Sequence, residues 1–486
     1  MPRLTKIVAT LGPASRDPKI IETMIRAGLD VARLNFSHGK AEDHVQTAEE
    51  VRRIAAEVGH PVGILADLQG PKIRIGKFEE GRIQLATGDR LILDAQCELG
   101  NQERVGLDYK DLPRDVSPGD ILLLDDGKIV LEVENVQGSE ILTVARHGGI
   151  LSNNKGINRQ GGGLSAPALT AKDMDDIKTA AAIGADFLAV SFPKSASDMY
   201  MARQLMLAAG GRALTIAKIE RVEAVAALEE ILDASDGLMV ARGDLAVEVG
   251  DAAVPALQKR MIRLAREKNK LAITATQMME SMTHSPTPTR AEVSDVANAV
   301  LDGTDAVMLS GETATGDFPV ETVEAMARIC HEAERSLPIT LDRQFLDRTF
   351  TRIDQSIAMA AIFAAYHLDV KAVAALTTTG STTLWMSRLN CGLPIFGLTE
   401  DPAALSRMTL FREVFPLLLH DLNSDRDLLR LKAEKRLLEA GVVAKGDLIV
   451  LSYGDKMGQR GSTNTISIVR VGEPGIRDQM SGARAA

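Results

Sequence analysis

Eight short apolar runs, each leading into a stretch with helical periodicity, predict an α/β chain built on a (β/α)8 or TIM barrel. Three observations carry this expectation. The strand–helix alternation begins at the N-terminus, the helical stretches repeat apolar residues three and four apart, and polar groups gather just past the strand ends.

The expected strands are Lys6–Thr10, Val31–Asn35, Gly63–Leu68, Phe187–Ser191, Leu214–Lys218, Gly237–Ala241, Leu271–Ala275 and Ala306–Ser310. Helical stretches such as HVQTAEEVRRIAAEVG, VEAVAALEEILDA and LQKRMIRLAREKN follow them. Just beyond successive strands stand Arg33 with Asn35 and Ser37, then Asp67, Ser191, Lys218 with Glu220, Arg242 with Asp244, Thr276 and Glu312. Loop starts are polar in any barrel, but so many charged groups on one rim mark the face where barrel chemistry sits.

One connection breaks the rhythm. Between Gly70 and Pro167, short alternating runs such as GRIQLATGDRLILDA, punctuated by Gly, Pro and Asp, predict an all-β insertion after the third strand. After Leu337, helix and strand alternate again in a smaller α/β segment. The expected domains are 1–70 with 167–337, 71–166, and 338–486.

The bulk properties exclude several classes. The chain of 486 residues has 56 Lys and Arg against 66 Asp and Glu, a net charge of −10, and only 3% aromatics. No basic stripe or stacking platform for nucleic acid is evident. Cys97, Cys330 and Cys391 stand far apart, which fits a reducing cytoplasm rather than a disulfide framework. No apolar run is long enough to span a bilayer, and residues Lys6–Thr10 already read as a strand rather than a leader. Anionic substrates would have to be drawn in by local cations or a bound metal.

The rim residues suggest which chemistry. Glu220 and Asp244 lie just past adjacent strands, and two hard carboxylates that leave positions to water and substrate suit Mg2+. Lys218, two residues before Glu220, faces the same side of the extended chain. A lysine there can form a Schiff base or act as a fixed cation on a transferring phosphoryl group, and the nearby glutamate favours the second role. Arg33, Arg74 and Arg242 are candidate forks for phosphate or carboxylate. His38 is the histidine considered as a base, although a lone histidine is more often structural. No Walker A loop, H-E-x-x-H or G-x-S-x-G occurs.

The strings TKIVATLGPAS, RLNFSHG, DLQGPKIR, NKGIN, AKIE, MVARGDLAVE, ATQMMESM and PTRAEVSDVANAVLDGTDAVMLSGETATGDFPVET together resemble the pyruvate kinase family across essentially the whole chain. In detail they are most similar to bacterial, proteobacterial-type members. The resemblance implies a β-barrel lid at 71–166, an effector-binding C-terminal domain and a homotetramer. It implies transfer of the phosphoryl group of phosphoenolpyruvate to ADP, with Mg2+ or alternatively Mn2+. Catalytic roles then fall to Lys218, Arg33 and Thr276, and metal binding to Glu220 and Asp244. Substrate contacts fall to Gly243, Asp244, Thr276 and Ser191, and nucleotide contacts to Asn35, His38, Arg74 and Lys155. Asp126 would enter the site from the lid. Family members usually read R-G-D-L-G where this chain has Ala246, which matters only if that position needs φ > 0.

Many members hold K+ with residues matching Asn35, Ser37, Asp67 and the carbonyl of Leu68. In those, the loop reads D-T-K-G-P-E; here it runs Asp67, Leu68, Gln69, Gly70, Pro71, Lys72. An ammonium on Lys72 can supply the charge that K+ otherwise brings, so no K+ requirement is expected. The run Thr377, Thr378, Thr379, Gly380, Ser381, Thr382 follows a strand and opens a helix. It resembles the family's effector loop, for a phosphorylated sugar or a nucleotide. Two other readings are a different metal-dependent barrel enzyme acting on phosphoenolpyruvate or a keto acid, and an inactive sugar-phosphate sensor. The first would lack the NKGIN string and the DDG string of Asp125, Asp126 and Gly127, and the second would have lost Lys218, Glu220, Asp244 or Arg33.

Overall fold

The computed structural model describes residues 2–336, 349–368, 370–389, 391–422, 426–455 and 461–473. The expected boundary between 337 and 338 lies outside them. Eight parallel strands close a barrel, each flanked by its neighbours in chain order: Lys6–Thr10, Val31–Asn35, Gly63–Asp67, Phe187–Val190, Leu214–Ile219, Gly237–Ala241, Leu271–Ala275 and Ala306–Leu309. Lys6 pairs with Ala306, Val8 with Val31 and Gly237 with Leu271. Nearly every strand residue is buried, as expected when barrel strands are covered on both faces. Leu68, Ser191 and Ser310 fall just outside their strands, and the fifth strand runs one residue further, to Ile219.

The helices start and stop on local signals. Asp17 caps Pro18–Ala27, and Gly28 at φ 115 ends it. Reciprocal capping boxes, Thr170 with Asp173 and Thr289 with Glu292, open Ala171–Ala182 and Arg290–Leu301. The stretch VEAVAALEEILDA forms two helices, Val222–Ala226 and Leu228–Ala234, because Ala227 leaves helical geometry at ψ 17.

The insertion is all-β. A sheet of six strands (Ile157–Arg159, Ile121–Leu124, Ile129–Gln137, Glu140–His147, Arg90–Asp94 and Arg104–Gly106, in that order) is joined by two small ribbons. Leu91, Leu93, Leu122, Leu131, Ile141 and Leu151 fill one shared core. The C-terminal segment forms a five-stranded sheet in the order Val414–Leu418, Ile395–Thr399, Ala372–Leu376, Leu448–Gly454 and Thr463–Arg470, the last strand antiparallel. The chain divides into two compact units, residues 1–34, 46–65 and 278–486, and residues 35–45 and 66–277. No helix among the described residues is long and apolar enough to cross a membrane.

Candidate active site

Three adjacent strand ends in the second unit build a charged cluster. The ammonium of Lys218 donates to Ser191 Oγ at 2.7 Å and lies 3.3 Å from Asp67 Oδ1 and 3.0 Å from Glu220 Oε1. The Ser191 hydroxyl in turn donates to the Leu68 carbonyl at 2.7 Å. Glu220 is 2% exposed and accepts the Phe192 N–H at 2.9 Å. Phe192 takes φ 54, an uncommon left-handed geometry for an aromatic residue, at the turn that aims this N–H. Burial pushes the Glu220 carboxyl above the usual range; Lys218 opposes the rise and the charge of Asp244 adds to it.

Asp244 stands in the first turn of the helix Arg242–Val249, directly after the sixth strand, with Lys72 Nζ at 3.4 Å. Two carboxylates close enough for the charge of one to raise the other could serve a hard divalent cation, which takes one or two carboxylates and keeps water or substrate oxygen elsewhere. Among the described residues no group of three or more His, Cys, Asp or Glu side chains forms a complete protein cage. Glu220 and Asp244 are the two carboxylates here that could hold such an ion.

Around Asp244 the local backbone is tightly held. Gly243 N–H donates to Thr276 Oγ1 at 2.8 Å, and that hydroxyl donates to the Ala275 carbonyl at 2.7 Å. The Arg242 guanidinium departs from the expected fork. It is buried and donates to the carbonyls of Ala275 and Thr276 and to Gln258, so it holds the Thr276–Gln277 turn, with φ 66 and 54. Glu312 likewise caps backbone, accepting Ser310 N–H at 2.7 Å and Met279 N–H at 3.2 Å. Ala246 lies inside the Arg242–Val249 helix and is not among the positive-φ residues, so its methyl group suits the backbone.

The loop after the third strand is pinned. Asp67 and Leu68 are each 1% exposed, and Leu68 N–H reaches the Ala189 carbonyl at 3.0 Å. Gly70 sits at φ 67, and a Cβ there would lie 2.7 Å from Ser191 Cβ, so only glycine fits this close crossing. Its N–H donates to Asp173 at 3.0 Å.

The other expected residues make contacts of their own. Arg33, on the second strand, donates to Thr10 Oγ1 at 2.8 Å. Asn35 Oδ1 accepts Ser37 N–H at 3.1 Å, and exposed His38 lends its carbonyl to His44. On the insertion, Lys155 pairs with Asp125 at 2.7 Å, and Arg74 donates to the Asn154 carbonyl at 3.2 Å. Asp126 lies in the adjoining turn at φ 57.

In the C-terminal sheet, residues 377–382 wrap a small polar pocket. Gly380 takes φ 82 and donates to Thr377 Oγ1 at 3.0 Å, while Thr379 Oγ1 donates to Ser381 Oγ at 3.2 Å. Its opposite wall, Gly461, Ser462 and Thr463, was not among the expected effector residues, although GSTNT carries it. Thr463 hydrogen-bonds Thr382 at 2.8 Å. The Lys72–Asp244 pair also escaped sequence reasoning, because 172 residues separate its members.

Comparison with known proteins adds a family. A model of the pyruvate kinase barrel domain matches residues 2–323, and one of the pyruvate kinase alpha/beta domain matches residues 355–469. The chain is 52% identical to pyruvate kinase II of Salmonella typhimurium over 475 residues, 96% of this chain and 99% of that one. It is 52% identical to the pyruvate kinase of Haemophilus influenzae over 469 residues, 95% and 97% of the two chains. It is 42% identical to that of Mycobacterium tuberculosis over 477 residues, 98% and 100% of the two chains.

Proposed function

The chain belongs to the pyruvate kinase family, and on that premise we propose that its barrel rim transfers the phosphoryl group of phosphoenolpyruvate to ADP, forming pyruvate and ATP. The observation that carries the residue assignment is the Lys218 ammonium held among Ser191, Asp67 and Glu220. Phosphoryl transfer asks the protein mainly for position and charge.

In this reading the terminal oxygen of ADP attacks phosphorus in line, the P–O bond to the enol oxygen breaks, and enolpyruvate leaves. Lys218 and Arg33 stabilise the charge on the transferring group, and Lys218 then the developing enolate. A divalent cation, which the family requires and which we take to be Mg2+, with Mn2+ as the alternative, would be held by Glu220 and Asp244 and supply Lewis-acid charge to the phosphoryl oxygens. Gly243 and Asp244 N–H groups orient the substrate carboxylate once Thr276 releases Gly243. Thr276 lies on the route by which a proton reaches the methylene carbon, and ketonisation drives the reaction. Ser191 keeps Lys218 in place.

Asn35, His38, Arg74 and Lys155 would contact ADP, with the insertion closing as a lid that brings Asp126 in and keeps water out. Lys72 takes over the charge of K+, so none is required. Its position 3.4 Å from Asp244 supports this reading, since one charge at about 4 Å is worth about 4 kcal/mol at an effective dielectric of about 20. Residues 377–382 would bind the phosphate of a sugar or nucleotide effector. The chain would work in the cytoplasm as a homotetramer; the exposed Ile353, Phe363 and Tyr366 on one C-terminal helix support self-association.

A coupled assay for ATP formed from phosphoenolpyruvate and ADP, with and without phosphorylated sugars and AMP, tests the reaction and the effector together. Absence of ATP formation by folded protein would return the chain to a different barrel chemistry or to an inactive sensor.

A further inference from the structure

Where the inserted domain rejoins the barrel, the chain runs through Gly161, Gly162 and Gly163, all left-handed at φ 83, 77 and 91. Three such residues in succession make a soft joint. It is gripped from both ends. On the insertion side, Arg159 donates through two nitrogens to Asp120 at 3.0 Å each, and to the Gly162 carbonyl at 3.0 Å. On the barrel side, Gly163 N–H donates to Glu223 Oε1, and Gly161 N–H to the Glu248 carbonyl at 3.4 Å.

The glutamates are not ordinary surface acids. A Cβ on Gly162 would lie 2.7 Å from both Glu223 carboxylate oxygens, so the joint is pressed onto that side chain. Glu223 Oε2 and Arg221 Nη1 are buried without a hydrogen-bond partner among the described residues. Glu248, 6% exposed, accepts Val222 N–H at 3.0 Å and bonds the Asn158 side chain, just before the glycines. Glu223 and Glu248 thus hold successive points of one short segment, and neither has a part in the chemistry assigned above.

We propose that Glu223 and Glu248 form a latch on this glycine joint, making both positioning residues for closure of the inserted domain. The proposal rests on the reading of that domain as a lid. A second property of the joint follows from its burial. Burial raises the Glu248 carboxyl to about 7; Arg221 and the Val222 and Asn158 bonds oppose the rise, and Glu223 adds to it. The docked joint therefore holds a proton that the hydrated carboxyl of an opened joint releases. The contribution of Glu248 to docking is therefore full below the ordinary glutamate range, falls as pH rises toward about 7, and is level above it.

The test uses full-length protein, with hydrogen exchange over residues 158–164, corrected for intrinsic rate, measured beside steady-state kinetics. Glu223→Ala should lower protection there about tenfold, as loss of a charge-assisted bond implies, while the barrel helix Val254–Glu267 keeps its own. KM for ADP should rise severalfold with a smaller change in kcat. Glu223→Gln, which keeps an acceptor for Gly163, should restore part of both. Glu248→Gln should flatten the pH dependence of protection between about pH 5 and 7. Unchanged protection in Glu223→Ala, or equal loss across the whole chain, would overturn the latch. Lost protection at the joint with unchanged KM would instead overturn the positioning role and the lid reading on which it rests.

Discussion

Two charge clusters in this molecule are built in different ways. In the C-terminal region, Arg388, 2% exposed, makes a two-pronged pair with Asp305, 0% exposed; Asp305 also accepts Arg412 N–H at 3.0 Å. Arg412 in turn donates to Thr5 Oγ1 and the Thr304 carbonyl. Opposite charges meet there in fork geometry, sealed from water. At the barrel rim, Lys218 and Lys72 face three carboxylates, Asp67, Glu220 and Asp244, and the charge of Asp244 helps to raise Glu220. Arg388 is locked by a two-pronged bond in a sealed setting, whereas Lys72 and Asp244 at the rim keep part of their surface in water, where a ligand can meet them.

The comparison breaks first at Lys218. Lys218→Met should cut kcat by about a thousandfold or more with substrate binding less affected. Near-normal turnover in a folded variant would show that the rim cluster is as structural as the Arg388 one. The converse is Asp305→Ala, which strands a buried arginine and should cost roughly 3 kcal/mol of stability in denaturant titrations, while kcat of the folded enzyme stays put. A large kcat loss at undiminished stability would erase the distinction.

Lys72→Glu sharpens the rim side. Activity should fall about tenfold or more, given the charge involved, and recover in part when K+ replaces tetramethylammonium. The parent enzyme should work nearly equally in Na+, K+ and tetramethylammonium at equal ionic strength. A strong K+ requirement in the parent would return Asn35, Ser37 and Asp67 to an ordinary cation site. The smallest effect is expected at the hydroxyl pocket, which relies on neutral donors. Ser381→Glu should abolish the severalfold lowering of KM for phosphoenolpyruvate by a phosphorylated sugar and leave basal activity alone. An undiminished response would remove the effector role from residues 377–382.

The barrel strands were legible to within one residue because burial on both faces writes them as unbroken apolar runs flanked by polar rim residues. Gly237–Ala241 and Leu271–Ala275 are clear cases. Lys218 beside Glu220 was legible because strand periodicity puts i and i+2 on one side. The rest depended on distance. Nothing near Lys72 in the chain announces Asp244, and Arg242 looks like a phosphate fork until the carbonyls of Ala275 and Thr276 claim its N–H groups. Glu223 and Glu248 read as polar residues of amphipathic helices, since only the folded chain brings the glycines against them. The left-handed turns at Phe192 and Thr276 were invisible because neither residue favours that geometry on its own.

The detour between the third and fourth barrel strands also bears on how the molecule is made. Leu68 bonds to Ala189, and about 120 residues intervene between the two strands. At a synthesis rate of about 5–20 residues per second, the third strand emerges roughly 6–24 seconds before its neighbour. During that interval its edge is an unpaired template. The insertion has its own apolar core, so it can fold while the ribosome is still extending the chain, shortening the effective loop that the two strands must close. The same excursion that sets an all-β domain between two barrel strands thus serves the nascent chain as a clasp.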